Sequence, residues 1–133
     1  MLFLCTHNSA RSQMAEGLLR AAAGDRFDVY SAGTEATFVR PDAIAAMSEL
    51  GIDISGQQSK TLVQFLPERW DHVITVCDDA NEACPVFPGM VARDHWSLQD
   101  PSKATGTPEE RLAVYRRVRD DLSARVSDFI EAN

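Results

Sequence analysis

No apolar run in this 133-residue chain is long enough to span a bilayer. The first such run begins at Met1 and meets Cys5 after only a few residues, far short of the core of a secretion signal. The expectation is a cytoplasmic protein that engages no membrane. Basic residues are outnumbered, 13 Lys and Arg against 20 Asp and Glu, for a formal net charge of −7. That balance excludes a broad positive field for nucleic acid, so any anion must be caught by a local set of donors. Cysteine is scarce as well, three in all. An odd count in a reducing cytosol argues against a framework of stable disulfides and leaves catalysis, redox exchange, metal binding or burial. Linkers, repeats and low-complexity tracts are missing. With 44% hydrophobic residues, positions 1–133 read as one domain around one core, and a monomer is expected.

What is present is an alternation of strands and helices. Leu2 to Cys5 and Phe27 to Ala32 are β-rich and flank Ser12 to Ala23, where Met14, Leu18, Leu19 and Ala22 recur at helical spacing. Pro41 suits the start of a second helix and Gly51 its end, with Ile44, Met47 and Leu50 on one face. A short helix is expected around Thr61 to Phe65, a buried strand over Asp71 to Cys77 and another strand over Ala92 to Leu98. The last helix has the clearest start: Thr107 caps it, Pro108 takes its first position and Glu110 completes a capping box. Its apolar stripe runs through Leu112, Tyr115, Val118, Leu122, Val126 and Phe129. Strands separated by helices imply an α/β fold with a parallel sheet of about four strands covered on both faces.

Between the first strand and the first helix lies Cys5-Thr6-His7-Asn8-Ser9-Ala10-Arg11-Ser12. A loop in that place turns backbone N–H groups inward and ends on the positive end of a helix dipole, a site for a tetrahedral oxyanion. The same donors stabilise a thiolate, which makes Cys5 a nucleophile. Arg11 can grip two oxyanion oxygens at once, Asn8 tolerates a left-handed backbone, and Ser12 can donate to the thiolate. Ser9 and Ala10 are small enough for the backbone to approach a ligand. The bare Cys-x5-Arg spacing is a weak motif, since a buried strand-end cysteine near a surface arginine satisfies it too. Its position between strand and helix gives it weight.

These residues resemble the loop of low-molecular-weight protein tyrosine phosphatases and of the thioredoxin-coupled arsenate reductases built on the same fold. The similarity spans nearly the whole chain, through Ser12-Gln13-Met14-Ala15-Glu16-Gly17, Ser31-Ala32-Gly33, Gly51-Ile52-Asp53-Ile54-Ser55 and Asp100-Pro101. It implies a three-layer sandwich with strand order 2-1-3-4, Cys5 as nucleophile, Arg11 as oxyanion clamp and Asp100 as general acid. Pro101 biases Asp100 toward an extended backbone, and a protonated carboxyl there would neutralise an oxygen leaving phosphorus or arsenic.

Cys77 and Cys84 separate the two branches. Burial is the commoner fate of such a pair, and a zinc site with His72 or His95 lacks close cysteine spacing. In the reductases a cysteine pair at these positions, followed by proline as Pro85 follows here, carries redox chemistry. The resemblance thus implies a relay: Cys5 attacks arsenate, Cys77 attacks Cys5 to release arsenite, Cys84 attacks Cys77, and thioredoxin reduces the disulfide. Glutaredoxin or mycothiol are alternative reductants. A seven-residue helical separation is roughly 10 Å, beyond the roughly 7 Å of a disulfide, so residues 78–84 must bend on oxidation. Phosphate and sulfate should compete with arsenate, and weak phosphatase activity is expected. The phosphatases usually place aromatics after Asp-Pro; here Ser102 and Lys103 follow.

Two features depart from the family. His7 stands where glycine is frequent, and Ala10 where many relatives carry cysteine. Some relatives bind potassium beside the loop with residues matching Asn8, Glu16 and Ser31 and an acidic residue near 57–60. This chain has Gln57-Gln58-Ser59-Lys60 there, so Lys60 supplies the charge or the site is lost, and no metal is expected. The same residues would also serve a non-enzymatic sensor of thiol oxidation or of an oxyanion.

Overall fold

A computed structural model describes residues 1–76 and 90–133, the side chains of 90 and 91 excepted. Cys77, Cys84, Pro85 and the expected bend in 78–84 lie outside the described residues.

The sheet is built on β1 (Leu2–Cys5), whose residues are all buried. It pairs in parallel with β2 (Tyr30–Gly33), from Leu2 opposite Tyr30 to Cys5 opposite Gly33. Its other edge pairs with β3 (Trp70–Thr75), and β3 pairs with β4 (Met90–His95), also in parallel. The order among the described residues is 2-1-3-4. The helices are α1 (Arg11–Ala23), α2 (Pro41–Ser48) and α3 (Pro108–Ala132).

Alternation along β1 divides the core. Phe3 and Cys5, with Ile74, face a cluster completed by Met14 and Leu19 of α1, Met47 of α2 and Leu122 of α3. Leu2 and Leu4, with Ala32 and Val73, face a smaller cluster that includes Phe65 and Trp70. The expected α/β arrangement is present, but its cover is uneven. Among the described residues all three α-helices join the larger cluster, and the 3-10 turn Leu62–Phe65 lies on the other. Each fully buried Leu, Ile, Val, Phe or Met side chain of this set contributes about 1.5–3 kcal/mol through apolar burial.

Several boundaries differ from the sequence expectation for local reasons. β2 starts at Tyr30 rather than Phe27, because β1 has no residue to pair with positions 27–29. The Val29 carbonyl instead accepts from Arg20 Nη2 at 2.6 Å. α2 stops at Ser48, so Leu50 is exposed; its buried face is Ala43, Ala46 and Met47. Gly51, at φ +74°, turns the chain out of the helix. On α1, Ala23 rather than Ala22 is buried. β3 ends at Thr75, two residues before Cys77, and β4 spans Met90–His95, leaving Trp96 and Leu98 buried beyond it. Thr107 caps α3 as expected, its Oγ1 accepting from the Glu110 N–H at 3.1 Å.

α2 and α3 are tied by Glu49. Its carboxylate accepts from Arg116 Nη2 at 2.6 Å and from Arg119 Nη1 at 2.8 Å, and Arg119 Nη1 also donates to the Ala46 carbonyl at 2.8 Å. Hydrogen bonds from the two arginines hold the Glu49 carboxyl at about 2, below its ordinary 4.5. A depressed folded-state value means that this stabilisation is complete above about pH 4.5 and fades as pH falls toward about 2. Urea unfolding across that window should show the loss, and Glu49→Gln should flatten it. An unchanged acid limb in the variant would contradict the assignment.

Candidate active site

The loop from β1 to α1 closes around Asn8, which adopts φ +48°. That conformation costs an ordinary residue about 1–2 kcal/mol and asparagine less. It brings the Asn8 backbone N–H to Cys5 Sγ at 3.2 Å, while Ser12 Oγ lies 2.8 Å from the same sulfur. With Cys5 as thiolate, both groups donate to it.

The Asn8 side chain uses its full hydrogen-bonding capacity. Its Nδ2 donates to Ser12 Oγ at 2.8 Å and to Ser31 Oγ at 3.0 Å. Its Oδ1 accepts from Gln13 Nε2 at 2.9 Å and from the Lys60 N–H at 2.8 Å. The direction of this network is fixed from below, where Ser31 Oγ donates to Glu16 Oε1 at 2.5 Å and so must accept from Asn8. Gly33 lets the loop lie against β2, since a Cβ there would stand 2.7 Å from the Thr6 carbonyl and 2.9 Å from the Asn8 nitrogen.

α1 begins at Arg11 with Ala10 in the capping position, which has no side-chain oxygen to offer the first-turn N–H groups. A helix start without a capping side chain or an early acidic residue suits an external anion. Arg11 is 3% exposed; its Nη1 donates to the Leu98 carbonyl at 3.3 Å and its Nη2 lies 3.6 Å from Asp100 Oδ2. Asp100 has the expected extended backbone, with φ −78° and ψ 105°. Its Oδ1 accepts from Ser102 N at 3.0 Å and Ser102 Oγ at 2.6 Å, leaving Oδ2 turned to Arg11.

The structure thus brings Asn8 and Ser12 to the Cys5 sulfur, and Arg11, at the end of the same loop, to Asp100. Ser9 and Ala10 are buried in the loop, and Thr6 accepts through its carbonyl from the Glu35 N–H. His7 sits on the rim, half exposed, with Nε2 3.5 Å from Glu35 Oε2. Cys77 and Cys84 lie outside the described residues.

Sequence reasoning missed Gln13, Gly33, Leu98 and the locking role of Ser102. The signal for Gln13 was an uncharged polar residue beside the apolar stripe of α1; the Leu98 carbonyl left none.

The potassium question has a structural answer. Glu16 is buried, its Oε2 2.7 Å from Arg20 Nη1 and its Oε1 4.0 Å from Lys60 Nζ. Burial lowers the Lys60 amine from its ordinary value, and Glu16 opposes that shift. Two side-chain cations already balance this carboxylate, so the residues do not fit a potassium ion. Thermal melts in potassium and sodium chloride at equal ionic strength should coincide for the wild type and separate for Lys60→Gln. A potassium-specific rise in wild-type Tm would contradict this.

Residues 1–132 match the family model described as low molecular weight phosphotyrosine protein phosphatase. An arsenate reductase of Halalkalibacterium halodurans is 53% identical over 129 residues, covering 97% of this chain and 93% of that protein. A solved structure of an arsenate reductase in the phosphate binding state superposes with a TM-score of 0.84 at 37% identity, covering 98% and 95% of the two chains. A thioredoxin-dependent arsenate reductase of Corynebacterium glutamicum gives a TM-score of 0.71 at 29% identity, covering 98% of this chain and 59% of that one.

Proposed function

The chain belongs to the low molecular weight phosphotyrosine protein phosphatase family, and on that premise we propose that it reduces arsenate to arsenite in the cytoplasm. What supports this reading is the Cys5–Arg11 loop, which carries the Asn8 N–H 3.2 Å from the Cys5 sulfur at one end and the Arg11 guanidinium 3.6 Å from Asp100 Oδ2 at the other. The arsenate reductase relatives, 53% identical in one case, supply the choice of substrate.

In this reading the Cys5 thiolate attacks arsenic while the loop N–H groups and Arg11 hold the remaining oxygens. Asp100 protonates the departing oxygen, which leaves as water. Cys77 then attacks Cys5 Sγ; the S–As bond breaks, its electron pair passes to arsenic, and arsenite departs with the metalloid reduced by two electrons. Cys84 attacks Cys77, freeing the Cys5 thiolate and leaving a Cys77–Cys84 disulfide. Thioredoxin is the proposed reductant, supported by the thioredoxin-dependent relative. No bound cofactor is invoked. Among the described residues no helix is long and apolar enough to cross a membrane.

The loop itself does not tell phosphate from arsenate, so weak hydrolysis of aryl phosphates belongs to the proposal. Ser102 and Lys103 offer no aromatic grip for a phosphotyrosine ring, which disfavours phosphatase as the main activity.

The test is arsenate-dependent NADPH oxidation with thioredoxin and thioredoxin reductase, run beside aryl phosphate hydrolysis. Cys5→Ser, Cys77→Ser and Cys84→Ser should each abolish arsenate turnover, and only Cys5→Ser among them should abolish hydrolysis. Asp100→Asn should lower both by about 10²–10⁴. Hydrolysis without NADPH consumption would overturn thioredoxin coupling, and failure with other thiol donors would make the protein a phosphatase. Silence in both assays would favour a sensor.

A further inference from the structure

A cavity of about 240 Å³ opens between α2, α3 and the 3-10 turn Pro101–Lys103, with Arg40, Asp42, Pro101, Ser102, Arg111 and Tyr115 in its wall. It abuts the reaction loop from two sides. Pro101 and Ser102 directly follow Asp100, and the Arg40 backbone N–H donates to the Ser9 carbonyl at 2.9 Å.

Its wall carries a buried donor without an acceptor. Asp42 lies 3.6 Å from Arg111 Nε, and Arg111 Nη1 donates to the Gly106 carbonyl at 2.9 Å. Arg40 has neither a carboxylate nor a side-chain hydrogen-bond acceptor among the described residues. Its guanidinium stacks 4.9 Å from the centre of the Phe38 ring, and its Nε is buried without a partner. An arginine left so in a chain of net charge −7 stands out. Tyr115 is 2% exposed and lines the same cavity. Burial pushes its phenol up to about 12, so it stays a donor at neutral pH. Buried polar groups are nearly always hydrogen-bonded, and the orphaned Arg40 Nε on a concave wall shared with the Tyr115 phenol calls for an acceptor. Two arginines against one aspartate leave the wall with one surplus positive charge, which selects an anion.

We propose that this cavity is a second anion subsite, beside the Cys5–Arg11 loop, that takes a carboxylate or a tetrahedral oxyanion through Arg40 and Tyr115. The anion arrives either as a free inorganic oxyanion or as the anionic tail of an ester whose phosphate occupies the loop. The proposal goes beyond arsenate reduction, and its test needs no turnover.

The first arm titrates wild-type protein with sulfate, following Arg side-chain Nε–H resonances and the stoichiometry by calorimetry. The second compares 3-phosphonopropionate with propylphosphonate, which share the phosphonate and differ in the carboxylate. If the anion is free, sulfate shows two saturable events, and Arg40→Gln or Tyr115→Phe keeps the loop event while weakening the other about tenfold. If the anion arrives on an ester, the carboxylated phosphonate binds about tenfold more tightly to wild type and equally to Arg40→Gln. Should Arg40→Gln fail to fold, Tyr115→Phe and the wild-type stoichiometry decide the matter. One sulfate event together with no preference for the carboxylate would overturn the subsite, and would leave the proposed reaction standing.

Discussion

The site depends on one strained residue. Asn8 holds a left-handed backbone because all four hydrogen-bonding positions of its amide are occupied, by Ser12, Ser31, Gln13 and the Lys60 N–H. Four bonds, three of them buried, at about 0.5–1.5 kcal/mol each offset the about 1–2 kcal/mol that the left-handed region costs. In that conformation the Asn8 N–H lies 3.2 Å from the Cys5 sulfur. The direction of the network descends from Glu16, balanced by Arg20 and Lys60, through Ser31 to Asn8 and Ser12. A buried carboxylate with two cations thereby sets which way the Ser12 hydroxyl beside the Cys5 sulfur is turned.

The fold supplies what this hub requires. β1 delivers Cys5 at its carboxyl end, where ligands of parallel sheets collect, and α1 starts from Arg11 with its first-turn donors facing the same place. β2 contributes Ser31 as a partner and Gly33 as the gap that admits the loop. The chain beyond β4 carries Leu98 and Asp100 back over the loop, so that Arg11 touches both. Ser102 occupies one oxygen of Asp100 and leaves the other facing the guanidinium. Positions of Cys5, Arg11 and Asp100 are therefore set by packing and hydrogen bonds within the protein.

Much of this is legible in the sequence where the signal is local. The Cys5–Arg11 loop stands out because strand, turn and helix patterns change within a few residues of it. α3 stands out because Thr107, Pro108 and Glu110 act on their own neighbours. Illegible features depend on distant partners. Phe27 to Val29 look like strand, yet β1 is too short to pair with them. Leu50 reads as core, but α2 ends before it and buries alanines against α3, where Arg119 reaches the Ala46 carbonyl. Lys60 reads as a substitute for an ion, while its backbone N–H also holds Asn8. The place of Tyr115 in a cavity wall is hidden in what reads as an ordinary helical stripe. Cys77 and Cys84 are a sequence observation whose positions fall outside the described residues.

The most direct measurement is to trap the link between the loop and the second thiol. Reduced Cys84→Ser protein would be given arsenate, quenched in denaturant with excess alkylating agent and digested for mass spectrometry. The expected result is an arsenate-dependent peptide pair joined through Cys5 and Cys77, formed in step with one equivalent of arsenite. Arsenite release with both cysteines recovered alkylated would contradict the relay.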